Sequence, residues 1–429
     1  MRIALLNPPW RFEGSIYFGC PAPHLPLEFG YAKALLESAG YDVLLIDAHL
    51  EGLDYHEMRR RLRAFSPDAS VLTTAPSYLF WRCAPPELTV PLRLLGEMRR
   101  ELGLLIVIGP HGSTTPRAAL RKLNADLVVL GEPEELLPRL NADWAHAPSL
   151  CFERDGKLRT TGGPHQSNMA ELPALSWESA LVSRHLHHHH RFDCDPIAPG
   201  AEVESSRGCP YACTFCAKEN FRNKYRKRPL NTILAEIDRL LNQGIEYVYF
   251  VDEIFLPNEP LLRSLAERNL KIGVQTRIDL WNEASIELLA KAGCVSIEAG
   301  VESITEEGRA YLDKKCRLST DQLTQRLAFA KRLVPFVQAN LISTSFDREE
   351  DIERWRQSVL RHGVWANKPV PLFPYPGSPE YSRRWGAPDD MAWERAHEYY
   401  LSQGEDFSDI QEQHPLPLVQ LEMSQHEHR

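Results

Sequence analysis

Between residues 1 and 145, short apolar runs alternate with segments whose apolar residues recur at helical spacing. The runs are RIALLN, YDVLLID, SVLTTA, LLIVIG and DLVVLG, and stretches such as LEFGYAKALLESAG carry the helical period. That alternation predicts an α/β domain with a doubly wound parallel sheet of about five strands. Gly40 and Gly103 each fall after a helical stretch and before a strand, where helix stops belong. From about 148 the pattern gives way to SLCFERDGKLRTT, which predicts a hairpin turning at Asp155-Gly156, and then to a connector without clear period up to 200. A second alternation starts at 201, with strands expected near VESSRG, YVYFVDE, IGVQTR, VSIEAG, VQANLI and PVPLFP. Six units fall short of the eight of a closed barrel and predict a partial (β/α)6 barrel. The organisation expected is therefore 1–147, a connector 148–200, 201–380, and a C-terminal extension 381–429 ending in a loosely held polar tail. No internal repeat is visible.

Composition narrows the class. In 429 residues, 43% hydrophobic and 25% charged, there is apolar mass for substantial cores in two or three domains. The longest apolar runs have strand length, and the N-terminus enters a strand without a signal-peptide pattern, so a cytoplasmic protein away from membranes is expected. A net charge of −9 speaks against nucleic acid as the main partner. The cysteines number nine, an odd count that suits thiols or metal ligands better than a disulfide framework.

Three of them, Cys209, Cys213 and Cys216, lie in SSRGCPYACTFCAK just after the first expected strand of the second domain. Three thiolates on one loop bind three irons of a cubane cluster and leave the fourth open to another ligand. Structural zinc is the rival, but a closed zinc site needs a fourth donor and usually paired C-x2-C units, and no second pair exists here. The other six cysteines are too scattered for a second cluster loop. The stretch resembles the signature of the radical S-adenosylmethionine (radical SAM) enzymes. That resemblance implies a 4Fe–4S cluster on the three cysteines, with S-adenosylmethionine on the open iron. Phe215 stands at the aromatic position that the family packs near the adenine. Further contacts are implied for Asp252 and Glu253 in FVDEIF, Arg277 in QTRID, Glu302 and Ser303 in EAGVES, and Phe373 in FPYPGSP, all expected at carboxyl ends of strands. DE stands here in place of the commoner GGE.

The first domain resembles the Rossmann-like cobalamin-binding domain of cobalamin-dependent radical SAM enzymes, through LLNPPW, LIDAHLEGL, IGPHGSTTP and DLVVLGEPEELL. No G-x-G-x-x-G follows the first strand, which lowers a dinucleotide reading. The resemblance implies cobalamin contacts from Thr73, Gly109, His111, Gly112, Gly131 and Glu132, with the glycines letting backbone approach the macrocycle. Pro110 departs from the family's usual glycine pair. DAHLEG, residues 47–52, matches the D-x-H-x-x-G of cobalt-ligating histidine loops, yet it follows the second strand where those loops follow the first. His49 is accordingly not expected to bind cobalt.

HLHHHHRFD puts His185 and His187 to His190 in the connector, where a solvated linker competes with a metal or substrate contact. After the triad, KENFRNKYRKRP sets Lys218, Arg222, Lys224, Arg226, Lys227 and Arg228 against Glu219. Such a loop is either simply exposed or docks an acidic flavodoxin- or ferredoxin-type electron donor or a phosphorylated substrate. The resemblance implies methylation of an unactivated carbon of a small molecule through a 5′-deoxyadenosyl radical and methylcobalamin. A non-methylating cyclase or rearrangement enzyme, and a cobalamin-responsive binding protein with a structural cluster, are the alternatives. No catalytic side chain beyond these is singled out.

Overall fold

A computed structural model describes residues 1–11, 23–78, 81, 83–140, 144–185, 200–220 and 222–402. The chain divides into two compact units. The first comprises Met1–Arg184, Cys216–Asn223 and Pro374–Tyr399, and the second His185–Phe215, Lys224–Phe373 and Tyr400–Arg429.

In the first unit five strands run parallel: β1 (Arg2–Asn7), β2 (Asp42–Asp47), β3 (Ala69–Thr73), β4 (Leu104–Ile108) and β5 (Leu127–Val129). The hairpin β6 (Leu150–Arg154) and β7 (Lys157–Thr161) adds two antiparallel strands to the β5 edge, giving the order β2-β1-β3-β4-β5-β6-β7. Asp155 and Gly156 both take positive φ, as a two-residue primed turn demands. β3 and β5 are buried along their whole length, which is why they read as continuous apolar runs. Leu72, Val107 and Val128 pack with Met58, Leu62 and Leu94 of the helices Tyr55–Phe65 and Thr89–Met98. The strand order reverses between β1 and β3, so the carboxyl edge there is the crevice in which this architecture takes ligands.

DAHLEG is a single helical turn, Ala48–Glu51. The Asp47 carboxylate accepts from Leu50 N at 3.1 Å as N-cap, and Gly52 closes the turn in the left-handed region at φ 66°. Capping alone accounts for the two motif positions flanking His49.

The second unit opens with β8 (Gly200–Val203) and a ribbon of β9 (Ser206–Arg207) against β10 (Arg226–Lys227). β11 (Tyr247–Phe250), β12 (Lys271–Thr276), β13 (Cys294–Glu302), β14 (Phe336–Leu341) and β15 (Trp365–Ala366) follow. β8 and β11 to β15 form one parallel six-stranded sheet in sequential order with helices between, an open (β/α)6 array. Two expected strands moved. VESSRG supplies the end of β8 and then the ribbon, because the chain leaves the sheet at Glu204. The sixth strand is Trp365–Ala366 rather than PVPLFP, where only an isolated bridge joins Val370 to Ile342. Pro369, Pro371 and Pro374 lack the N–H groups that a longer ladder needs. Phe373 therefore lies seven residues beyond the strand it was expected to end.

Helices Pro379–Trp385 and Ala392–Leu401 continue the chain after the array, the former starting in the segment that packs with the first unit. The polar tail from 403 and the histidines 187–190 lie outside the described residues.

Candidate active site

The cysteine loop leaves β8 through buried charge. Arg207 lies in a bidentate pair with Glu204 at 2.8 Å, and both side chains are almost wholly buried. Arg228 Nη1 donates to the Glu204 carbonyl at 2.8 Å, and Nη2 to Glu236 at 2.7 Å. Asp252, just past the end of β11, accepts from Ser205 N at 2.8 Å, from Ser205 Oγ at 2.6 Å and from Ser206 Oγ. Burial raises its pKa to about 7 against the pull of those donors. Glu253 accepts from Gly208 N at 2.7 Å, immediately before Cys209. Further along the loop, Tyr211 lies under the Arg277 guanidinium at 4.1 Å, and Arg277 is oriented by Asp279 at 2.7 Å. Thr214 N donates to the Leu312 carbonyl at 3.0 Å. The loop that carries the cysteines is thus fastened to the ends of β11 and β12.

Cys209, Cys213 and Cys216 are partly exposed thiols. Among the described residues no three His, Cys, Asp or Glu side chains converge on one ion position. A donor set of three partly exposed thiols on a loop fits a cubane, whose thiolates sit on separate irons.

Of the other residues expected near S-adenosylmethionine, Asp252, Glu253 and Arg277 meet the cysteine loop, and Glu302, Ser303 and Phe373 have partners elsewhere in the second unit. Glu302, in β13, holds positive φ (67°) at a register shift and pairs with buried Lys314 at 2.9 Å. Backbone strain of this kind persists where surroundings over-determine it. Ser303 Oγ donates to the Asp347 carboxylate, 44 residues further along the chain, at 2.9 Å. Phe373 is buried against Tyr400, with ring centroids 5.2 Å apart. Phe215 is half-buried. Sequence reasoning missed Lys314, Tyr211, Ser205 and Ser206. Only Asp279, two residues after Arg277, left a local signal.

The six residues expected to touch cobalamin stand at or just beyond the carboxyl ends of β3, β4 and β5, and all are buried. Thr73 Oγ1 donates to the Ala75 carbonyl at 2.8 Å, and Glu132 accepts from Ser167 N at 2.7 Å. A Cβ at Gly109 would stand 2.4 Å from Thr74 Oγ1, at Gly112 2.7 Å from Val128 Cγ1, and at Gly131 2.3 Å from the His165 carbonyl oxygen. The protein's own packing already leaves no room for a Cβ at these three positions. His111 stacks on Trp393 at 4.1 Å and donates from Nε2 to the Pro86 carbonyl at 3.4 Å. Burial lowers its pKa to about 3 and keeps it neutral.

The basic loop is only half a surface. Lys218, Arg222 and Arg228 are buried, with Arg222 over the Tyr78 ring at 4.4 Å, whereas Lys224 and Lys227 are exposed and Arg226 is partly so.

A doubly wound domain, then a parallel (β/α)6 array with three cysteines just after its first strand, is the architecture of a radical SAM enzyme with an added nucleotide-type domain. The Radical SAM superfamily model matches residues 203–355. It is similar to the hopanoid C-3 methylase of Methylococcus capsulatus, 28% identical over 366 residues covering 81% of this chain and 67% of the relative. It is also 24% identical, over 356 residues, to the anaerobic magnesium-protoporphyrin IX monomethyl ester cyclase of Cereibacter sphaeroides, covering 76% of this chain but only 54% of the relative. Among solved structures it resembles the radical S-adenosylmethionine methyltransferase TsrM of Kitasatospora setae, determined with cobalamin and a 4Fe–4S cluster bound. That likeness has a TM-score of 0.69 at 17% identity, over 88% of this chain and 76% of the other, and it establishes the fold.

Proposed function

We propose that this protein is a cobalamin-dependent radical SAM enzyme that methylates an unactivated carbon of a small molecule. The observation that carries the reading is the three-thiol loop fastened at the carboxyl ends of a parallel array, on a chain whose fold over 88% of its length is that of a cobalamin-binding methyltransferase. Cys209, Cys213 and Cys216 would ligate the cluster, and Glu253, Arg277 and Glu302 offer charged groups for S-adenosylmethionine. Phe215, Asp252, Ser303 and Phe373 are the remaining candidates from the sequence. Cobalamin belongs at the carboxyl edge of the first sheet, near Thr73, Gly109, His111, Gly112, Gly131 and Glu132. When bound, these groups supply a substrate radical and a transferable methyl group; the chain holds the loop, orients the ligands and shields them from water.

We assign cofactor binding to modules 1–147 and 201–380, joined by 148–200, with 381–429 as an extension. The enzyme would work in the cytoplasm, reduced by a flavodoxin- or ferredoxin-type donor. Among the described residues no helix is long and apolar enough to cross a membrane. A second reading, cobalamin-dependent ring formation, is favoured by the similarity to the cyclase. Anaerobic reconstitution with both cofactors decides. 5′-Deoxyadenosine together with S-adenosylhomocysteine supports methylation, 5′-deoxyadenosine alone supports ring formation or rearrangement, and neither product removes the enzyme reading.

A further inference from the structure

We infer that Asp252 is a positioning residue for the cluster loop and not a ligand of S-adenosylmethionine, the DE pair dividing the two tasks between its members. The inference rests on the radical SAM reading above. The end of β11 holds the outgoing chain in three successive steps. Val251 N donates to the Val203 carbonyl at 3.0 Å, the last main-chain rung between the two strands. At the next rung the acceptor is a side chain: Ser205 N donates to Asp252 Oδ1 at 2.8 Å. Three residues on, Gly208 N donates to Glu253 Oε2 at 2.7 Å. Substituting a carboxylate for a carbonyl satisfies the Ser205 N–H while letting the main chain peel away from the sheet toward Cys209, which an unbroken ladder would forbid.

The second Asp252 oxygen is occupied as well, by the hydroxyls of Ser205 and Ser206, and the residue is 1% exposed. A ligand ammonium needs an acceptor that it can reach. Asp252 presents none, whereas Glu253 is half-exposed. Buried arginines complete the mount: Arg207 on Glu204, and Arg228 on the Glu204 carbonyl and Glu236. Asp252 thus acts on the cluster as the outer partners of metal ligands do, by fixing where the thiolates stand.

The test compares Asp252→Asn, Asp252→Ala, the pair Ser205→Ala with Ser206→Ala, and Glu253→Gln in the full chain, each reconstituted anaerobically with iron and sulfide. For Asp252→Ala, iron loss to a chelator should quicken roughly tenfold, in line with the cost of losing an outer partner. Asp252→Asn, which keeps an acceptor for Ser205 N, should restore part of the difference. The serine pair, which leaves the Ser205 N bond to Asp252 in place, should quicken iron loss less than Asp252→Ala, and combining it with Asp252→Ala should add little, because that change already removes the hydroxyl contacts. In the cluster-bearing fraction, the change in the reduced cluster's electron paramagnetic resonance on adding S-adenosylmethionine should titrate at the parent concentration. Glu253→Gln should do the reverse, holding iron while that titration weakens about tenfold, the worth of one charge-assisted bond. An Asp252→Asn protein with parent iron retention and weakened titration overturns the inference. So does an Asp252→Ala protein that holds iron as the parent does. A parent protein that takes up no cluster would instead overturn the functional reading.

Discussion

His111 and Glu28 are buried in the first unit and carry opposite displacements. Burial lowers the imidazole from 6.5 to about 3 and raises the carboxyl from 4.5 to about 8. A neutral buried histidine binds fewer protons than its unfolded counterpart, so its contribution is whole above 6.5 and is lost as pH falls toward 3. A buried acid held neutral binds more protons folded than unfolded, so its contribution is lost as pH rises from 4.5 to 8. The two oppose each other between 4.5 and 6.5 and act singly outside that window. Urea unfolding should therefore show Glu28 costing the parent up to about 2 kcal/mol between pH 6.5 and 8, with Asp252 adding to the loss up to about pH 7, and Glu28→Gln should flatten the limb above 7. His111→Gln should flatten the acid limb below 4.5 and leave the alkaline one. At the same scale, His49 belongs to a turn whose Asp47 and Gly52 act as caps. His49→Ala should keep cobalamin in near-parent amount, and the cob(II)alamin resonance should show no histidine nitrogen splitting in either protein. A splitting present in the parent and lost in the variant would make His49 the ligand.

Elements that bury both faces were legible because such strands must be written as unbroken apolar runs. β3, β5 and β11 show it. β15 was not legible: it has two residues, and the apolar stretch after it carries prolines that read as hydrophobic yet cannot donate to a ladder. The cysteine loop, Glu253 and Arg277 were legible as a motif, but the saturation of Asp252 was not, since its donors lie 46 and 47 residues upstream and serines carry no local signal. Glycine at helix ends was read correctly from position but not for weight. Gly40 has φ 85° with open space at its Cβ, whereas Gly103 has φ 62° and a Cβ would stand 2.4 Å from the Asp68 carbonyl. Gly40→Ala should cost about 1 kcal/mol for left-handed backbone alone. Gly103→Ala should cost about 2 kcal/mol or more, since the strand-entry backbone must also shift. Equal midpoints in chemical denaturation for the two variants would contradict the distinction.

At the scale of the whole molecule, the two compact units are interleaved in sequence, which boundaries drawn from runs of pattern at 147, 200 and 380 do not record. Segments 216–223 and 374–399 join the first unit through long-range contacts that no local periodicity records. Charge behaves in the same way. The chain carries −9 overall, which repels an acidic electron donor at long range, and of the six basic residues after the triad three are buried. What remains for a donor is the run Lys224, Arg226 and Lys227. A patch of this kind acts on encounter rate more than on final affinity and is screened beyond about 10 Å at 0.1 M salt. Neutralising all three should slow reduction by a flavodoxin-type donor about tenfold at low ionic strength and remove most of the salt dependence of that rate. Reduction by a small chemical reductant, which needs no docking surface, should stay at the parent rate. If both reductants slow equally, the three side chains serve the loop's folding or the substrate, and electrons enter elsewhere.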